Sequence, residues 1–201
     1  GQPTNFTSSA IAATTATIGW TRAASGQGDN VLVVARASGA VDQDPSNDVS
    51  YTANAAFTSG DQIGSGNYVV YKGSGTTVNL TGLSASTSYH FAVYEYNDNC
   101  EVHNMTQLTG SFTTCDNAPS GQSTNFTSSS LSTTTATIGW TRAASGQGDN
   151  VLVVARASGA VDQDPTNRVT YTANAAFTSG TQIGSGNYVV YKGSGTSVHL
   201  T

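Results

Sequence analysis

Thr15-Ala16-Thr17-Ile18-Gly19-Trp20-Thr21, with Asn30-Val31-Leu32-Val33-Val34-Ala35-Arg36 shortly after it, is the stretch whose reading decides the fold. The first run alternates. Ala16, Ile18 and Trp20 share one face and threonines share the other, the period-two signature of a half-buried strand. The second run is continuously apolar, as expected of a central strand covered on both faces. Working outward, Tyr68–Tyr71 and Thr76–Leu80 flank Gly73-Ser74-Gly75 and are expected to pair as a hairpin. Ser88–Asn97 (SYHFAVYEYN) places Tyr89, Phe91, Val93 and Glu95 on one face and His90, Ala92, Tyr94 and Tyr96 on the other. Leu108–Thr114 reads as a closing strand, and no amphipathic helix of useful length occurs. About seven short strands with turn signals between them predict an all-β sandwich.

The chain also repeats itself. GQPTNFTSS at Gly1 returns as GQSTNFTSS at Gly121, an offset of 120. Thr15–Pro45 recurs unchanged as Thr135–Pro165, and YTANAAFTSG and QIGSGNYVVYKGSGT recur as well. The differences are few, among them Asp48/Arg168, Asp61/Thr181 and Asn79/His199. The expected organisation is a complete unit over 1–120 and a second copy over 121–201 that reaches only the counterpart of Thr81. That copy lacks a counterpart of Gly82–Ser120, the last strands of the sandwich, so it is expected to have an open edge and an uncovered core. A continuing chain or another subunit would complete it. A start at Gly1 is expected of a piece cut from a longer or processed polypeptide.

Composition narrows the function classes. Charged residues are only 9% of the chain, yet nine Tyr, six Phe and two Trp supply core-forming side chains, unlike a disordered chain. A net charge of −5 argues against nucleic acid, whose phosphates call for a Lys/Arg surface. No apolar run approaches the roughly 20 residues of a membrane-spanning helix. Cys100 and Cys115 lie across a predicted hairpin and are expected to form a disulfide, worth about 3 kcal/mol for a loop of that size. Two free buried thiols are the alternative. A disulfide would point to an oxidising, extracellular setting.

Leu83-Ser84-Ala85-Ser86-Thr87-Ser88-Tyr89-His90-Phe91-Ala92-Val93 resembles the fibronectin type III pattern around its tyrosine corner. The resemblance implies that Leu83 packs under the ring of Tyr89, whose hydroxyl bonds back to the main chain. It also makes Trp20, and hence Trp140, the core tryptophans of tandem immunoglobulin-like (fibronectin type III-like) sandwiches. The run VLVVARASGAV with YTANAAF, GSGNYVVYKGSG and VNLTGLSASTSYHFAVYEYN is similar to a subtype in large secreted proteins of Bacteroidota. Many of those are exported by the type IX system and act as adhesins or as spacers in secreted enzymes. The segment between Ser38 and Asn67 departs from a minimal domain of this type.

Asp42-Gln43-Asp44-Pro45-Ser46-Asn47-Asp48 is the densest carboxylate cluster and could suit calcium, but Asp48 becomes Arg168 in the second copy. A polar Asp-Pro turn is the expectation. His90, His103 and His199 have no nucleophile or carboxylate partner at a catalytic spacing. The glycines of GSGNYVVYKGSG bracket a strand and open no helix, so they read as turn residues. Asn5, Asn79, Asn104 and Asn125 begin glycosylation sequons. Tyr94 and Tyr96 could present stacking surfaces for sugars or simply pack across strands.

These readings predict no catalytic residue, no metal and no cofactor. They make the chain a structural repeat of an extracellular, cell-surface adhesin or filament, whose partners are neighbouring repeats and other subunits able to complete the second sandwich. A glycan- or protein-binding module, with repetition supplying avidity, and a spacer in a secreted enzyme are the alternatives.

Overall fold

The computed structural model describes residues 1–201 as two compact units, Gly1–Asn117 and Ala118–Thr201. The first contains β1 (Thr4–Ser9), β2 (Ala16–Thr21), β3 (Asn30–Ala37), β4 (Gln62–Ile63), β5 (Asn67–Gly73), β6 (Thr77–Leu80) and β7 (Ser88–Asn97). A 3-10 turn at Asn99–Glu101 leads to β8 (Val102–His103) and β9 (Leu108–Thr113). One sheet has the order β1-β2-β6; the other runs β4-β5-β3-β7, with β8 and β9 both on the far edge of β7. All pairings between these strands are antiparallel. This is a two-sheet immunoglobulin-like sandwich.

β3 is the strand on which the unit is organised. It pairs with β5 on one side, Val33 opposite Tyr71, and with β7 on the other, Val33 opposite Val93. Its alternate residues face two different interiors. Val31, Val33 and Ala35 join Ile18, Trp20, Val70, Leu80, Leu83, Tyr89, Phe91, Val93 and Phe112 between the sheets. Leu32 and Val34 face the opposite way, with Val69, Ala92, Tyr94 and Tyr96. That outer face is dry because part of the 38–66 segment folds over it, supplying Ile63 together with Val41, Tyr51 and Ala53. A strand buried on both faces has no reason to alternate, which accounts for the run of apolar residues from Val31 to Ala35.

The covering segment also closes one side of the sandwich. Asn54 N–H donates to the Val69 carbonyl of β5 (3.1 Å), and Val69 N–H to the Asp61 carbonyl (2.9 Å). A few residues on, Phe57 N–H donates to the Thr81 carbonyl at the end of β6 (2.9 Å), and Thr81 N–H to Ala55 (3.0 Å). Two strand edges that would otherwise offer free N–H and C=O groups are thus occupied. Gly60 lets the segment lie this close: a Cβ there would overlap the Val69 carbonyl oxygen.

One element differs from the sequence expectation. Tyr68–Tyr71 and Thr76–Leu80 are not a hairpin: β5 pairs with β3 and β6 with β2, in different sheets. Gly73, at φ 150°, begins a crossing between layers, and Gly75 N–H is held by the Tyr71 hydroxyl (2.7 Å). The strand-turn-strand pattern is the same for a hairpin and for a sheet-to-sheet crossing, so sequence alone does not separate them.

The second unit contains β10 (Thr124–Ser129), β11 (Ala136–Thr141), β12 (Val151–Arg156), β13 (Gln182–Ile183), β14 (Asn187–Gly193) and β15 (Ser197–Leu200). They form two three-stranded sheets, β10-β11-β15 and β12-β14-β13. The registers repeat those of the first unit down to the irregularity between Val153 and Val154, matching that between Val33 and Val34. The covering segment is also reproduced, with Asn174 N–H on Val189 O (3.1 Å) and Phe177 N–H on Thr201 O (2.9 Å). β12 has no strand on the edge where β3 meets β7.

Candidate functional site

The same sequence thus stands in two surroundings, one with β7–β9 present and one without. The candidate site is the part of the second unit that this difference uncovers, and the first unit shows what fills it.

In the first unit, Glu95 of β7 is 1% exposed, and a carboxylate that deep needs full compensation. It has it. Arg22, just after β2, donates from Nη2 to Oε2 (2.6 Å) and from Nε to both oxygens (3.3 and 3.2 Å). Ala23 N–H donates to Oε1 (3.0 Å) and Gly28 N–H to Oε2 (3.2 Å). Arg22 is completed by the carbonyls of Gly28 (2.6 Å) and Asp29 (3.2 Å). Nearby, Phe6 stacks on Phe91 at 5.6 Å and Phe91 on Phe112 at 5.4 Å.

In the second unit Arg142 stands where Arg22 does. It donates to the carbonyls of Gly148 and Ser194, but its buried Nε has no partner. Val151 to Ala155, whose counterparts are fully buried, are each partly exposed. Phe126 is 72% exposed. It lines an open, largely apolar cavity of about 450 Å3 with Trp140, Val151, Leu152, Val153 and Val154. A smaller cavity of about 110 Å3 adjoins Arg142, Ala143, Gly148 and Pro119.

The core residues named from sequence divide accordingly. Trp20, Leu83 and Tyr89 are buried in one cluster; Trp20 meets Tyr71 edge-on at 5.2 Å, and the Tyr89 hydroxyl accepts from Ser84 N–H at 2.8 Å. Trp140 is not enclosed in this way. It packs on Tyr191 at 5.1 Å but lines the open cavity, because the facing sheet has only β12, β14 and β13 and no counterpart of β7–β9.

The expected disulfide is absent: Cys100 and Cys115 are both free, and both are exposed. β7 lies between them. Cys115 follows β9 at the end where Ser88 pairs with Thr113, whereas Cys100 follows the end where Asn97 pairs with Val102. A ten-residue strand spans about 30 Å, while a disulfide requires Cα atoms roughly 4.4–6.8 Å apart. Between them the chain turns back through the 3-10 turn and β8 before β9 begins, so fifteen residues of sequence carry Cys115 to the opposite end of β7.

The carboxylates of the Asp42–Asp48 run disperse to separate structural partners. Asp42 pairs with Arg36 and accepts from Asn67 Nδ2 (2.9 Å); these two contacts, the Asn67 bond foremost, hold its carboxyl below the usual range. Asp162, Arg156 and Asn187 repeat this arrangement. Asp44 accepts from the Tyr94 hydroxyl (2.8 Å). No three His, Cys, Asp or Glu side chains converge as a metal would need.

Tyr94 and Tyr96 are buried beneath the covering segment, at 0% and 2% exposure. Burial, with nearby carboxylates, raises both phenols well above their ordinary range. They cannot stack on a sugar. His103 lies against Tyr96 at 5.1 Å with both ring nitrogens unpartnered, and burial holds it below the ordinary imidazole range. His199 bonds Thr137 Oγ1 across strands (3.0 Å), in the place where Asn79 meets Thr17 (2.8 Å). His90 pairs with Ser111 and Arg36 in the ladders.

The Arg22–Glu95 clamp was not anticipated. Its signal was Glu95 itself: a charge on the inward face of an apolar alternation calls for a buried cation.

No family model matches this chain, and no curated protein matches it. Among solved structures, a two-domain fibronectin type III segment of chicken tenascin is 16% identical, over 98% of this chain and 81% of that one, with a TM-score of 0.36. A fibronectin type III domain of human collagen XX is 21% identical, over 56% of this chain and 90% of that one, with a TM-score of 0.35. A computationally redesigned β-sandwich is 20% identical, over 58% and 96%, with a TM-score of 0.40. The sandwich assignment itself stands on the strand order and paired cores described above.

Proposed function

We propose that this chain is a non-catalytic, structural run of repeats in an extracellular cell-surface adhesin or filament, with neighbouring repeats as its principal partners. The observation that carries the reading is the unchanged recurrence of Thr15–Pro45 as Thr135–Pro165, exposed turns included. A core alone would constrain only the inward positions, and exposed positions tolerate most changes. Repetition that extends to the surface suits a protein whose output is length, or many identical faces.

Further support comes from the low charge and the Ser/Thr/Asn-rich surface. The resemblance to repeats of large secreted Bacteroidota proteins adds to it and suggests export by the type IX route. With both cysteines free, the disulfide no longer argues for an oxidising compartment, so the surface location rests on these other grounds. The glycan-binding reading is weakened, since its best stacking residues, Tyr94 and Tyr96, are enclosed.

The test is immunogold labelling of producing cells with antibody against this chain. Label on intact cells is expected; label only after permeabilisation would refute the surface assignment.

A further inference from the structure

We infer that the exposed turn around Asp48 and its counterpart around Arg168 are complementary contact faces, through which the first unit of one chain binds the second unit of another copy. The inference concerns contact between chains and not where they are displayed, so it stands or falls apart from the surface assignment.

Residues 1–81 and 121–201 are almost the same sequence, and most of their differences exchange one uncharged residue for another. Formal charge changes at two positions alone, Asp48/Arg168 and Asp61/Thr181. Both lie in the covering segment, and both make the second unit more positive. Over 38–66 the first unit has four aspartates and no Lys or Arg; over 158–186 the second has two aspartates and Arg168.

The fold asks for neither change. Asp61 Oδ2 accepts from Thr52 N–H (2.7 Å) and Thr181 Oγ1 accepts from Thr172 N–H (2.9 Å), so the bond is kept while the charge goes. Asp48 and Arg168 share a left-handed backbone, at φ 60° and 65°. Aspartate is enriched in that conformation and arginine is not, so the turn itself gives no reason for the arginine. A charge reversal that the local structure does not reward points to something outside the unit.

Nothing inside either unit absorbs these charges. Asp42 and Asp162 pair with Arg36 and Arg156, and Lys72 with Glu101, but neither Asp48 nor Arg168 belongs to an ion pair. Beside each stands an exposed valine, Val49 at 41% and Val169 at 50%. Val102, also exposed, adds to the first face. Asp48 N–H donates to the Cys100 carbonyl (2.9 Å) and His103 N–H to Asn47 Oδ1 (2.9 Å), which holds β8 against the turn. The first turn is exposed with β7–β9 in place, so such a face owes nothing to the open side of the second unit.

Apolar contact gives such faces adhesion, and charge sets which faces meet. A first-unit turn repels another first-unit turn and attracts a second-unit turn. The contact joins two different faces, so each copy keeps one of each kind free for a further copy. The faces are small, and a single weak contact gains strength by repetition.

The experiment uses two variants of the full chain. Arg168→Asp makes both turns acidic and Asp48→Arg makes both basic; each puts into one turn the residue the other already carries, so the fold accommodates both. Isotope-labelled Arg168→Asp chain is titrated with unlabelled Asp48→Arg chain, and in parallel with unlabelled Arg168→Asp chain, by NMR. The expected result is saturable shifts of the amides around positions 48 and 168 with the oppositely charged partner, and affinity about tenfold or more lower for the like-charged one. Raising ionic strength from roughly 0.02 to 0.5 M should weaken the mixed pair, since the screening length shortens severalfold. No shifts in the mixed sample would overturn the proposal, as would equal binding of the two partners, shifts confined to residues away from these turns, or association indifferent to salt.

Discussion

Replacing the same arginine in the two units should give two different answers. Arg22→Met removes the cation from a carboxylate that is 1% exposed, leaving Glu95 with only the Ala23 and Gly28 N–H groups. Breaking a buried ion pair from one side costs about 3–5 kcal/mol. Arg142→Met, in an identical local sequence, loses no ion pair, only bonds to the Gly148 and Ser194 carbonyls. It also removes an unpartnered buried Nε, so a cost of about 1 kcal/mol or less is expected. Each unit has one tryptophan, so urea unfolding followed by Trp20 fluorescence in a Trp140→Phe background reports the first unit, and the reverse background reports the second. Fitting each transition separately respects the failure of two-state behaviour in a two-unit chain. Pairing Arg22→Met with Glu95→Leu should recover most of the loss, because a buried ion pair replaced whole by apolar groups is often neutral. Equal losses at Arg22 and Arg142, or no recovery in the double variant, would refute the clamp.

Other expectations follow from single contacts. Tyr89→Phe removes the acceptor for Ser84 N–H and should cost the first unit about 1–2 kcal/mol, read by the same Trp20 transition; no change would mean that the hydroxyl is incidental. Burial lowers the His103 pKa, so the unfolded chain takes up a proton first as pH falls through about 6.5. Stability present above that pH is then lost toward the lower folded pKa, with a slope of at most about 1.4 kcal/mol per pH unit. His103→Phe should flatten the stability profile between pH 7 and 5, and parallel profiles would contradict this. A thiol-reactive chromophore should count two thiols per folded, oxidant-treated chain, since Cys100 and Cys115 lie at opposite ends of β7; a count of zero with monomeric protein would restore the disulfide.

The architecture was legible where local pattern and burial coincide. The alternation of β2 and the apolar run of β3 carry strand type and layer, and the 120-residue offset carries the repeat without any knowledge of topology. Legibility failed where distant segments meet. Nothing in residues 38–66 announced that they would cover the outer sheet face, so Tyr94 and Tyr96 looked available when they are enclosed. The cysteines misled for the same reason: chain separation was short, but a full strand length intervenes. Glu95 could be placed facing inward from β7's period, yet its partner Arg22 lies 73 residues away and only the sheet packing brings them together.

If these units serve as repeated structural elements, electron microscopy of the native protein should see the repeat itself. Regular beaded fibres are expected, with an axial spacing that corresponds to one 120-residue unit. Isolated compact particles with no such period would contradict it.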